Sequence, residues 1–128
     1  AVLQVIAAID SLAVDNWPDN EWYGGFPADV AEVRASYVAL TAAQKAIVSN
    51  YADLETAEAR VNLNILIGQV LTSGKKESDH TADSWTAMTD ALMDAIAERD
   101  SATATVTSLT AAQAALQLAF DNLVIIKP

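Results

Sequence analysis

The chain has no cysteine, one histidine, four glycines and three prolines in 128 residues. Without cysteine there is no disulfide framework, thiolate zinc site, iron–sulfur site or cysteine nucleophile. So little glycine and proline argues against a turn-rich β fold. Basic residues are also few. Seven Lys and Arg stand against 17 Asp and Glu, a formal net charge of −10. That balance argues against a protein that tracks nucleic-acid phosphates and against docking on anionic lipid. Long apolar runs are missing. The longest charge-free stretch, residues 101–120, contains eight Ser, Thr or Gln residues. A membrane-spanning helix needs about 20 mostly apolar ones. No Gly-rich phosphate loop, G-x-S-x-G turn or metal-ligand helix motif occurs.

What is present is alanine, 26 residues of it, in a chain that is 52% hydrophobic. Disorder goes with a scarcity of apolar residues, so this is no acidic disordered tail. The length suits one domain, or two small ones sharing a core. The start at Ala1, with no basic segment ahead of an apolar one, reads as an excised or processed piece. The closing tract 124–128, Val-Ile-Ile-Lys-Pro, reads as the start of a linker or of a further domain.

Hydrophobic spacing predicts six helices and no strand. Residues 2–13 place Val2, Ile6, Ile9 and Ala13 on one stripe, with Leu12 beside it. Residues 14–26 break the pattern with Pro18, Gly24-Gly25 and two Asn. Pro27 suits a first helical turn, and Val30, Val33, Tyr37 and Leu40 then share one face. Thr41 and Gln44 have the spacing of a capping box that opens a short helix to about residue 49. Asn50 is a second N-cap candidate, with Asp53 and Glu55 suited to the positive helix end.

From Tyr51 no breaker occurs until about Ser73, which predicts one continuous helix of about 33 Å. Leu54, Ala57, Val61 and Ile65 form one stripe, while Leu63, Leu66, Ile67 and Val70 form a rotated second one. The apolar face changes sides near residue 62, so one helix serves two packing partners. Gly74 suits the position after the helix, followed by Lys75 and Lys76. Beyond a polar turn, Thr81 caps a helix striped by Trp85, Met88, Leu92, Ile96 and Arg99, filled in by Ala91 and Ala95. A Ser/Thr-rich turn leads to a last helix carrying Leu109, Ala112, Leu116, Ala119, Phe120 and Leu123. The predicted fold is all-α: two small three-helix-type bundles sharing the helix at about 51–73.

Two halves are similar to known modules. Residues 62–124 resemble the FIVAR module ("found in various architectures") through His80, Thr81, Ser84, Trp85, Leu92, Ala95, Leu116, Ala119 and Leu123. The usual Tyr before that Thr is His80 here. Residues 1–61 resemble helical repeats of Gram-positive surface proteins. The matching positions are Val33-Arg34, Tyr37, Leu40-Thr41, Gln44-Lys45, Val48, Asn50-Tyr51, Leu54, Ala57 and Glu58. The resemblance implies a three-helix module of large, secreted, cell-wall-associated proteins, with no common set of catalytic residues. It implies neighbouring domains of a parent protein as partners and an extracellular location. Such repeats have a short link where this chain has the long stretch 14–26.

That stretch holds four of the eight aromatic residues: Trp17, Trp22, Tyr23 and Phe26. Asp15, Asp19, Asn20 and Glu21 interleave with them. Flat rings cover the C–H face of a sugar while carboxylates accept from its hydroxyls. Trp17, Asp19, Glu21, Trp22, Tyr23 and Phe26 are therefore the candidate site for a glycan or a surface protein. The competing reading is that the rings fold back to plug the end of the bundle, since burying a large aromatic is worth roughly 2–3 kcal/mol. Calcium is disfavoured, because Trp17 stands at the third position of an EF-hand count from Asp15. His80 beside Ser78, Asp79 and Ser84 reads as capping chemistry. Asp90 and Asp94 read as a solvated helix face, Trp85 as core, and Tyr37 and Tyr51 as packing between helices. No catalytic residue, metal or other cofactor is expected. The expected function is a non-catalytic spacer or adaptor, with a carbohydrate- or protein-binding module as the alternative.

Overall fold

A computed structural model describes residues 1–12 and 25–126. Among them are six α-helices: α1 (Val2–Asp10), α2 (Gly25–Val38), α3 (Ala42–Ile47), α4 (Tyr51–Leu71), α5 (Ala82–Asp100) and α6 (Val106–Asp121). A 3₁₀ turn at Glu77–Asp79 precedes α5. The chain divides into two compact units, Ala1–Val61 and Asn62–Pro128. Helix α4 is unbroken across that division, so the predicted continuous helix is present and ends two residues early.

In the first unit α1 packs against α2 and α3. Its core is Val5, Ile9, Leu12, Phe26, Val30, Val33, Leu40, Val48, Leu54 and Ala57. The predicted face of α2 is present, with Val30, Val33 and Leu40 buried and Tyr37 half-buried. The stripe on α1 differs from expectation. Val5, Ile9 and Leu12 are buried, while Val2 and Ile6 pack half-buried beside them. The apolar residues at 2, 3, 5, 6 and 9 permit two overlapping stripes, and contact with α2 and α3 selects one. Leu3 stays 80% exposed. Helix α2 starts at Gly25 and holds Pro27 within its first turn, where a missing N–H has no intrahelical partner to lose.

The capping box ahead of α3 is complete. Gln44 N donates to Thr41 Oγ1 at 3.2 Å, and Thr41 N donates to Gln44 Oε1 at 2.9 Å. Asn50 departs from its expected capping role. Its amide Nδ2 instead donates to the Ile6 carbonyl at 2.9 Å and to Asp10 Oδ1 at 2.8 Å, tying α4's entry to α1. Its Oδ1 is buried without a hydrogen-bond partner among the described residues.

In the second unit α5 packs against α6. Leu63, Leu66, Ile67, Val70, Met88, Ala95, Leu109 and Leu116 are buried. Ile65 departs from its predicted stripe and is 52% exposed. Its neighbours Asn64 and Leu66 are turned inward, so a residue between them faces out. Gly74 ends the helical segment at φ +77°, the left-handed conformation that glycine adopts without strain. Thr81 caps α5, accepting from Ser84 N at 3.4 Å.

Two features lie beyond what the sequence pattern predicts. Thr105 and Ser108 form a second capping box at the start of α6. Residues 124–126, expected to start a linker, turn back onto the α5 entry. Thr81 N donates to the Val124 carbonyl and Ile126 N to the Asp79 carbonyl, both at 2.9 Å. His80 and Ile125 face each other in an isolated antiparallel bridge. The predicted Ser/Thr/Asp turn thus supplies hydrogen-bonding groups to a returning strap.

Candidate functional site

Of the predicted ligand-binding residues, Trp17, Asp19, Glu21, Trp22 and Tyr23 lie outside the described residues. Phe26 is described. It sits in the first turn of α2 and is fully buried in the core of the first unit. Such a ring offers no face to a sugar, so a glycan would have to be met by the other three aromatics.

Among the described residues, a side-chain cluster lies elsewhere in that unit. Arg34 and Tyr37, one helical turn apart on α2, meet Tyr51 and Glu58 of α4. Spacing of three and seven residues keeps each pair on one helix face. The two tyrosine rings stack with centroids 4.6 Å apart and 24° between planes. The Arg34 guanidinium lies 5.5 Å from the Tyr37 ring and 5.2 Å from the Tyr51 ring. Its Nε donates to Glu58 Oε2 at 2.8 Å, its Nη2 to Glu58 Oε1, and its Nη1 to the Tyr51 hydroxyl at 3.2 Å. Lys45 of α3 places its ammonium 5.6 Å from the Tyr37 ring.

Arginine's planar fork matches a carboxylate with two parallel bonds and stacks on aromatic faces at the same time, which lysine cannot do. Donation to the Glu58 carboxylate holds the Arg34 guanidinium above its already very alkaline ordinary value, against some desolvation, and the Tyr51 bond acts in the same direction. Arg34 is therefore a permanent cation that neither gives nor takes protons at any ordinary pH. The arrangement joins α2 to α4. Its members are among the residues that carry the resemblance to surface-protein repeats.

The second unit has a corresponding polar knot at the α5 entry. His80 is buried, with Nδ1 2.7 Å from the Lys76 carbonyl and its ring 5.4 Å from that of Trp85. Ser84 Oγ accepts from Thr81 Oγ1 at 2.8 Å and from Val124 N at 3.1 Å, and donates to the Thr81 carbonyl at 3.1 Å. Thr81 and Ser84 thus act at the α5 N-terminus, where the sequence predicts the Thr81 cap. Trp85 is half-buried, whereas Asp90 and Asp94 are exposed on α5.

Arg99 lies on the predicted apolar stripe of α5, but the spacing does not disclose its partners. It is buried, and its Nη1 donates to Asn64 Oδ1 at 2.9 Å while Nε donates to Asp100 Oδ1 at 2.9 Å. The signal available was a charged residue in register with Met88, Leu92 and Ile96, opposite an Asn within an apolar half-helix.

One open groove of about 350 Å³ lies in the first unit, over Val5 and Leu40, with Ala1, Ala8 and Ala39 as walls and Gln4, Ser36 and Gln44 as polar groups. Among the described residues no group of three or more His, Cys, Asp or Glu could hold a metal ion. No described helix is long and apolar enough to cross a membrane.

In comparisons with protein-family models, curated proteins and solved structures, nothing matches this chain.

Proposed function

We propose that the chain is a non-catalytic helical spacer or adaptor module of a large secreted or cell-wall-associated bacterial protein. The observation that supports this reading is α4, 21 residues without a break across the division between two compact units. At a 1.5 Å rise per residue the helix itself is about 32 Å long, and an unbroken helix is a stiffer connection than a flexible linker. The cores on either side are built from packing, caps and helix-joining polar clusters. The extracellular, Gram-positive setting follows the resemblance of the two halves to surface-protein modules. Neighbouring domains of the parent protein are its partners in this reading.

Spin labels provide the test, because the absence of cysteine lets labels be placed one by one. Ala43→Cys and Ala111→Cys put labels on exposed positions of the two units. A spacer has a single narrow distance distribution, broadened by Asn62→Pro at the exposed start of the second unit. A distribution already broad without that substitution would overturn the reading.

The clustering of half the aromatic residues in ten positions favours one alternative, a carbohydrate- or protein-binding module. Trp17, Trp22 and Tyr23 would provide its rings and Asp19 and Glu21 its acceptors, with Phe26 anchoring the segment in the core. Tryptophan fluorescence that shifts on adding a glycan, and loses the shift in Trp22→Ala, supports this alternative. Indifference to every glycan on an array removes its carbohydrate form.

A further inference from the structure

We draw no further inference here: the strongest candidate, the exposed apolar strap at residues 124–126 alongside the α5 entry turn, carries nothing because nothing in the structure shows what covers it.

Discussion

Tyr37 on α2 and Tyr51 at the start of α4 stack face to face, with ring centroids 4.6 Å apart, and Arg34 lies against both. The pair brings together residues that are 14 positions apart in sequence and separated by a short capped helix. An aromatic pair of this kind is worth about 0.5–1.5 kcal/mol beyond the area it buries. A double-mutant cycle with Tyr37→Leu and Tyr51→Leu should give a coupling free energy in that range, read from urea unfolding of the first unit. Strict additivity of the two single changes would mean that the stack contributes nothing specific.

Arg34→Lys keeps the charge and loses the fork. Its bonds to Glu58 and Tyr51 are only partly screened, since about 29% of the arginine side chain is accessible. A loss of roughly 0.5–1 kcal/mol is expected. The pH behaviour follows from the sign of the shift. A cation whose folded-state value is raised contributes stability that is fully present below its unfolded value and disappears only above it. For Arg34 that window lies at extreme alkalinity. The difference between wild type and Arg34→Met should therefore be the same at about pH 7 and about pH 9. A difference that faded over this interval would assign the stabilisation to another group.

Asn64 and Asn62 stand two residues apart on α4, one buried and one exposed. Asn62→Ala is expected to change stability by no more than about 0.5 kcal/mol. Asn64→Ala removes the acceptor of a buried guanidinium bond and should destabilise by about 1–3 kcal/mol. Equal effects in thermal unfolding would show that the Arg99–Asn64 bond is energetically idle.

Gly74→Ala isolates a backbone effect. A methyl group there meets no atom within 4 Å, so sterics outside the backbone are absent. The φ of +77° still disfavours an L side chain, at roughly 1–2 kcal/mol. Circular dichroism melting should report that loss without loss of helix content.

Ser84→Ala should act in two places at once. The α5 cap weakens, because Ser84 Oγ no longer joins Thr81, and the Val124 amide loses its acceptor. Helix capping changes of this kind are worth about 0.5–2 kcal/mol. Hydrogen exchange at Val124 and Ile126 should accelerate more than at the centre of α5. Unchanged exchange at those two amides would show that the strap is held independently of Ser84.

Local chemistry made the helices legible in the sequence. The Thr41/Gln44 box, the Thr81 cap, Gly74 after α4 and the unbroken run from Tyr51 all act within a few residues, so their outcome depends little on what lies across the fold. The exposed pair Asp90 and Asp94 and the buried Leu54, Leu63 and Leu116 were legible in the same way. On α1 the spacing points to Val2, Ile6 and Ile9, whereas the structure buries Val5, Ile9 and Leu12, because periodicity alone leaves neighbouring registers nearly equivalent and contact with α2 and α3 separates them. Spacing could not send Asn50 to the end of α1 in place of its own helix, turn residues 124–126 back onto the His80 turn, or pair Arg99 with Asn64. Each of those outcomes depends on polar groups distant in sequence being brought together by the fold, and the Arg99–Asn64 pair meets where water is excluded. There an unpaired donor or acceptor is penalised and a paired one is retained. Composition and spacing thus determined an acidic, cysteine-free, all-helical chain with one long shared helix. The tertiary structure decided which polar residues join its helices, because those partners are distant in sequence and meet only once the helices pack.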